Sequence, residues 1–122
     1  MASKAIIIGS ILGALAVAAG AFGAHALSEF LNESGRSVTY ETAVKYQFYH
    51  SLLLILAGIL GQKVSINIPV YLIVFGILVF SGSLYLLIFT NASWFGIIAP
   101  FGGASLIAGW LSLAYAARKL VN

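Results

Sequence analysis

Apolar residues fill this chain in long runs that few charged residues interrupt. Residues 5–28, 46–62 and 64–117 contain no Asp, Glu, Lys or Arg. A helix needs about 20 mostly apolar residues to cross a bilayer, so the first two runs each fit one span and the third fits two. The pattern predicts an all-α, four-helix transmembrane bundle in a single domain, 1–122, with spans at residues 5–27, 39–61, 69–90 and 94–117.

The segment between the first two predicted spans is the only sizeable polar one. Leu27, Phe30 and Leu31 recur at helical spacing among Ser, Glu and Asn residues, which is typical of a short amphipathic helix on the membrane surface. Gly35 is a natural end for this helix. Asn91 begins the only turn signal inside the third run, and it predicts the hairpin between the last two spans.

Composition supports a membrane protein and excludes several other classes. Charged residues make up 7% of the chain, against about 25% in soluble domains. The net charge of +3 comes from scattered cations that form no patch for nucleic acid. The chain has no cysteine, so it has no disulfide framework, thiolate metal site or cysteine nucleophile.

The first predicted span has two features of a secretory leader. Lys4 precedes an apolar run, and Ala24-His25-Ala26 has the form of a cleavage site. The apolar run is longer than the 7–15 residues of a typical leader core, and further spans follow it. We interpret it as a retained helix, with cleavage after Ala26 as the alternative.

Small residues recur along one side of the first predicted helix, at Gly9, Gly13, Ala16, Gly20 and Ala24. Such stripes let helices approach closely in lipid, where packing drives association. We expect the stripe to serve contacts within the bundle. Because a transporter built from four short helices would need to self-associate, a homo-oligomer through the small-residue face of the first or fourth helix is a second possibility.

The distribution of cations predicts the orientation. With four spans, the termini and the loop around Lys63 share one side, which carries Lys4, Lys63, Arg118 and Lys119. The other side carries two cations, Arg36 and Lys45. The positive-inside rule therefore predicts a multi-pass protein of the cell (cytoplasmic) membrane, with both termini in the cytoplasm and membrane lipids as its partners.

Polar residues within the spans gather in the half of the bilayer away from the termini. They are His25, Tyr46, Gln47, Tyr49, His50, Ser81, Ser83 and Tyr85. Ionisable and polar groups within a membrane mark either a bundle-facing hydrogen bond or a functional site. Two interpretations stay open: a polar pocket or proton relay, and a hydrogen-bond network that sets helix register.

The two histidines, His25 and His50, are also candidate metal or haem ligands, since helical bundles hold such cofactors between facing histidines. Glu29 lies one turn beyond His25 and is a possible third ligand. A four-ligand zinc site cannot be assembled from His and Cys. We therefore expect neutral, hydrogen-bonded histidines, with no metal and no cofactor.

Pro100 is the one helix-breaking residue in the interior of a span. It removes the hydrogen bond to the carbonyl of Gly96 and is expected to kink the fourth helix. Gly102, Gly103, Ser105 and Gly109 then allow another helix to approach closely.

Four ordered motifs give the chain a family resemblance: GAFGAHAL at 20–27, TAVKYQFYH at 42–50, FSGSLYL at 80–86, and PFGG at 100–103 with GW at 109–110. The whole chain resembles the family catalogued as domain of unknown function 423, which includes vertebrate transmembrane protein 256 and small bacterial inner-membrane proteins. Ala26 and Ala99 depart from the pattern, where glycine and threonine are common. The resemblance implies four spans in a bacterial cytoplasmic membrane, and it implies no activity.

No catalytic constellation is legible, because the chain has no Ser/His/acid arrangement, no phosphate loop and no paired carboxylates in a span. We therefore expect a non-enzymatic protein that binds a lipid-like or other small ligand in a polar pocket, or that stabilises membrane assemblies. The competing hypothesis is an oligomeric proton or small-solute transporter with titrating histidines. A weaker alternative is a histidine-ligated metal or haem protein.

Overall fold

The computed structural model of the chain describes residues 1–120. It consists of the helices α1 (Ala2–Ala24), α2 (Ser28–Ser34), α3 (Ser37–Leu60), α4 (Asn67–Thr90) and α5 (Phe95–Ala117), followed by a 3₁₀ turn at Arg118–Leu120. Within the described residues, α1, α3, α4 and α5 are long and apolar enough to cross a membrane. The predicted all-α bundle, with a short helix after the first span, is confirmed. Which part of each helix lies in the bilayer stays a prediction.

Two residues with left-handed backbone conformation end helices where the sequence indicated. Gly35 has a φ of 70° and closes α2, and Asn91 has a φ of 56° and closes α4. Glycine and asparagine adopt this conformation at low cost. α1 ends at Ala24, earlier than the predicted Leu27, because the backbone of His25 leaves the helical region, with φ −122° and ψ −84°.

The four long helices pack in the order α1, α3, α4, α5, so that α3 and α4 are the inner pair. α1 lies along α3, and α5 lies along α4. The bundle consequently opens on two sides, between α1 and α4 and between α3 and α5. The largest apolar cluster, built around Leu54 and Ile73, lies in the half that contains the termini.

Glycines bring α1 and α3 into backbone contact. A Cβ on Gly9 of α1 would lie 2.7 Å from the carbonyl oxygen of Ser51, and a Cβ on Gly58 of α3 would lie 2.7 Å from that of Ala2. The predicted small-residue stripe packs on α3 at Gly9, Gly13 and Gly20, whereas Ala24 at its end is exposed. Self-association through a small-residue face stays a prediction.

The α4–α5 contact follows the same rule. A Cβ on Gly102 would lie 2.3 Å from the backbone nitrogen of Phe80, and a Cβ on Gly76 would lie 2.5 Å from the Leu106 side chain. Ser105 adds a hydrogen bond from its hydroxyl to the carbonyl of Leu72, at 2.7 Å. The small-residue face of α5 is thus occupied by α4.

α2 folds over one end of the bundle, which we call the α2 end. Its Leu31 is buried in a small cluster with Tyr40 and Ile88, and its Phe30 ring stacks on Phe89 of α4 with centroids 6.0 Å apart. The amphipathic pattern of this segment thus has an apolar side that packs on the protein.

Pro100 lies inside α5, which continues as one helix from Phe95 to Ala117. Its side chain is exposed, as is Gly96, whose carbonyl loses its usual helical hydrogen-bond donor. A kink at this position stays a prediction.

Adjacent glycines in α5 offer a matched test of close packing. Gly102→Ala should lower the melting temperature of the purified protein, because the new methyl group meets the Phe80 backbone, and overpacking of this kind costs about 1–3 kcal/mol. Gly103→Ala places its Cβ 3.6 Å from the Phe80 ring, an ordinary contact, and should be neutral or slightly stabilising. Equal melting temperatures for the two variants would contradict this packing.

Candidate functional site

Gln47 lies at the centre of a polar network that joins three helices. Its Nε2 donates to the carbonyl of Leu12 in α1 at 2.8 Å, and its Oε1 accepts from the Tyr85 hydroxyl of α4 at 2.8 Å. The Leu12 carbonyl can only accept, so this pair of partners determines the orientation of the amide. Gln47 is buried, with 6% of its surface exposed.

Tyr40 extends the network toward the α2 end. Its hydroxyl donates to the carbonyl of Ala19 in α1, and its ring meets the Tyr85 ring edge-on, with centroids 5.9 Å apart. The ring occupies the space beside Gly23, where a Cβ would lie 2.3 Å from it. Tyr40 and Gln47 therefore hold α1 to α3 at two levels.

Serine hydroxyls bond to carbonyls of α3. Ser81 of α4 donates to the carbonyl of Ala43 at 2.8 Å, and Ser51 donates to that of Gln47 at 2.6 Å. Only the first of these bonds joins two helices. Ser81 thus adds a second polar link between α3 and α4, beside the Gln47–Tyr85 pair.

His50 is bonded at both ring nitrogens. Its Nε2 lies 3.0 Å from Nε1 of Trp110 in α5, and its Nδ1 lies 2.6 Å from the carbonyl oxygen of Tyr46. An indole N–H can only donate, so Nε2 is the acceptor and Nδ1 carries the proton. This arrangement favours a neutral imidazole at His50.

Besides the two histidines, three of the predicted site residues lie away from the Gln47 network. Tyr46 stacks on Phe80 with centroids 4.8 Å apart, and Tyr49 packs beside Tyr46 at 6.2 Å. Both tyrosines are largely exposed on the outer surface of the bundle. Ser83 is buried on the side of α4 that carries Gly76 and faces α5.

The structure does not bring the two histidines together. His25 is exposed immediately after α1, at the α2 end. His50 lies within α3, about 20 Å along the helix axis from Ser37, the first residue of α3. Residues 1–120 contain no group of three His, Cys, Asp or Glu side chains that could hold a metal ion. A shared metal or haem site therefore has no ligand set in this part of the chain.

A groove lies between α1 and α4, with α3 as its floor; we call it the Gln47 groove. Its volume is about 450 Å³. The walls are apolar, and the polar side chains are those of the network. The lining residues are Leu12, Leu15, Ala19, Phe22, Leu27, Tyr40, Gln47, Ile77, Leu78, Ser81, Gly82, Tyr85 and Phe89.

A second groove of about 430 Å³ lies on the other open side, between α3 and α5. It is lined by Tyr46, His50, Pro100, Gly103, Ala104, Leu106, Ile107 and Trp110. Of the predicted polar residues, Gln47, Ser81 and Tyr85 line the first groove, Tyr46 and His50 line the second, and the other three line neither.

Trp110 and Tyr40 are the network members that sequence reasoning missed. Trp110 stands in the motif at 109–110, but its partner His50 is 60 positions away, and nothing in the sequence gives the register between α3 and α5. Tyr40 belongs to none of the four sequence motifs and precedes the one at 42–50. The small residues beside it, at Gly20 and Gly23, were the available signal that a ring packs there.

Comparisons with known proteins identify the family. The family model described as "Protein of unknown function (DUF423)" matches residues 19–103. This chain belongs to the DUF423 family. The matched range contains every predicted site residue from His25 to Pro100.

Relatives align along nearly the whole chain. A UPF0382 membrane protein of Staphylococcus haemolyticus is 43% identical over 119 residues, which cover 96% of this chain and 97% of the relative. One of Staphylococcus saprophyticus is 44% identical over 117 residues, covering 94% and 97%. The UPF0382 membrane protein YwdK of Bacillus subtilis is 40% identical over 118 residues, covering 93% and 95%. No solved structure matches the chain.

These findings and the four apolar helices together make this DUF423 protein a multi-pass membrane protein whose relatives are bacterial.

The Gln47–Tyr85 bond can be tested by removing one oxygen. Tyr85→Phe leaves Oε1 of Gln47 without its donor in an apolar setting and should lower stability by about 1 kcal/mol. Thermal unfolding in detergent measures this change. Tyr71→Phe, on the exposed side of the same helix, is the control and should leave the melting temperature unchanged. Equal melting temperatures for Tyr85→Phe and Tyr71→Phe would show that the Gln47–Tyr85 bond does not contribute to stability.

Proposed function

We propose that this DUF423 protein is a non-enzymatic binding protein that holds a lipid-like molecule in the Gln47 groove. The observation that carries the proposal is a groove of about 450 Å³ with apolar walls and one polar point on its floor, the Gln47–Tyr85 pair. Small-molecule sites typically occupy about 300–1,000 Å³ and combine apolar walls with few polar groups.

The polar point has bonding capacity left for a ligand. An amide nitrogen carries two N–H groups, and the Leu12 carbonyl takes one from Gln47. The Tyr85 oxygen donates to Gln47 and keeps its lone pairs as acceptors. A molecule with a carbonyl, such as an ester or a quinone, fits the free N–H, and a hydroxyl fits the Tyr85 oxygen.

The access route favours a ligand from the membrane. α1 and α4 stand apart on this side, and the apolar residues Leu15, Phe22, Leu78 and Phe89 form the rim. Phe22 and Leu78 are each about 60% exposed, so the opening faces hydrocarbon. An amphiphile dissolved in the bilayer can enter sideways without crossing water.

Proton transport by the histidines finds less support. A relay needs an imidazole that gains and loses protons, whereas Trp110 and the Tyr46 carbonyl satisfy both nitrogens of the neutral His50 ring. Protonation of His50 at Nε2 would point its new N–H at the indole N–H of Trp110, and neither group can accept a hydrogen bond. Loss of the Trp110 bond would have to precede each transfer.

We propose further that both termini lie in the cytoplasm, so that the α2 end and the Gln47 groove belong to the outer half of the membrane. The end with the termini carries Lys4, Lys63, Arg118 and Lys119, against Arg36 and Lys45 at the α2 end.

Filling the groove tests the binding proposal. Gly82 lines the groove, and a Cβ at this position meets nothing within 4 Å, so Gly82→Leu should occupy the space without disturbing the helices. Co-purified lipids and quinones are counted by native mass spectrometry. We expect the bound ligand to fall about tenfold, the equivalent of ~1.4 kcal/mol.

The matched control is Gly96→Leu, which also enters open space but stands outside both grooves. It should keep the ligand of the unsubstituted protein. The proposal fails if no specific ligand co-purifies with the unsubstituted protein, or if Gly82→Leu retains it in full.

The orientation is tested by labelling single cysteines, since the natural chain has none. In intact cells, a membrane-impermeant maleimide should label Glu33→Cys in α2 and spare Gln62→Cys in the α3–α4 turn, both of which are exposed. Permeabilised cells should show both labelled. The reverse pattern would place the termini outside.

A further inference from the structure

A third cavity, which we call the interfacial crevice, lies at the α2 end between α1, α2 and α3. It has a volume of about 310 Å³ and is lined by Gly20, Gly23, Ala24, Ser28, Leu31, Asn32, Ser37, Tyr40, Glu41, Val44 and Lys45. No residue of α4 lines it, whereas the Gln47 groove opens between α1 and α4; Tyr40 lies between the two cavities and lines both.

The crevice contains one group of each charge. Glu41 and Lys45 stand one turn apart on α3 and are both exposed. No ion pair within 4.0 Å joins them in the part of the chain that the structure describes. The hydroxyls of Ser28 and Ser37, by contrast, bond to the His25 carbonyl and the Asn32 side chain, each at 2.9 Å. The two charged groups are therefore the ones free to meet a ligand.

The position of Lys45 along α3 favours an anionic partner. It follows the first residue of α3 by eight positions, or about 12 Å along the helix axis. A cation at this depth is costly unless it reaches the interface or pairs with an anion. A lipid phosphate at the membrane surface meets both needs.

The surface below Lys45 changes from charged to apolar along the same side of α3. Glu41 and Lys45 are followed at helical spacing by Phe48, Leu52 and Leu56. The last two are 48% and 60% exposed. A molecule with a charged head and a hydrocarbon tail matches this order of a charged surface followed by an apolar one.

We propose that the interfacial crevice binds the headgroup of a phospholipid that carries both a phosphate and a primary amine, with its tails along Phe48, Leu52 and Leu56. Lys45 donates to the phosphate, and Glu41 accepts from the ammonium. This site does not depend on the occupant of the Gln47 groove.

The pair of charges discriminates among headgroups. An anionic lipid without an amine, such as phosphatidylglycerol, leaves Glu41 facing negative charge. The trimethylammonium of phosphatidylcholine has no N–H to donate, so it forms no hydrogen bond with the carboxylate. Phosphatidylethanolamine offers both partners and is the probe for this class.

The experiment measures lipid retention by the full-length protein in detergent micelles that contain phosphatidylethanolamine, phosphatidylglycerol and phosphatidylcholine in equal amounts. Native mass spectrometry counts the bound lipids. We expect phosphatidylethanolamine to be enriched over the other two. Glu41→Gln should reduce its retention threefold to tenfold and leave that of phosphatidylglycerol equal or higher, and Lys45→Gln should reduce all three.

Glu33→Gln makes the same charge change on α2, outside the crevice, and should keep the preference of the unsubstituted protein. So should Gly82→Leu, which fills only the Gln47 groove. The proposal is overturned if the unsubstituted protein retains the three lipids in the mixing ratio, if Glu41→Gln keeps the preference, or if Glu33→Gln abolishes it equally. Unfolding temperatures of all variants identify any loss caused by misfolding.

Discussion

In hydrocarbon a polar group has no water to bond with, and this constraint determines how the helices of this protein meet. The constraint is strongest at Gln47, because its side-chain amide presents both a donor and an acceptor in the middle of a span. α1 supplies the acceptor through the Leu12 carbonyl, and α4 supplies the donor through Tyr85. Within residues 1–120, no buried side-chain nitrogen or oxygen lacks a partner. A change of register in any of these helices would leave one of them unsatisfied.

Two kinds of contact hold the helices together. Glycines bring α1 against α3 and α4 against α5 at backbone distance, and the gain there is close packing. Polar bonds connect the resulting hairpins, through Ser81 and Tyr85 in α4 and Trp110 in α5. The packing order leaves α1 apart from α4 and α3 apart from α5, and both grooves are a consequence of this order.

The sequence was sufficient for the fold, because uncharged runs and turn residues such as Gly35 and Asn91 are local signals. It was also sufficient to select Gln47, Ser81 and Tyr85 as residues that meet near one level. Which groove a polar side chain lines, if any, depends on the rotation of each helix about its axis, which single-sequence spacing does not determine. Trp110 was missed for this reason. The exposed His25 does not meet His50, since it follows α1 beside the start of α3, and His50 lies about 20 Å further along α3.

The separation into two hairpins has a consequence for synthesis. α1 and α3 leave the ribosome first, and the side-chain oxygen Oε1 of Gln47 then has no donor until Tyr85 follows, 38 residues later. During this interval the half-made protein exposes a polar amide to lipid. Packing of the second hairpin onto the first is the step that removes this cost.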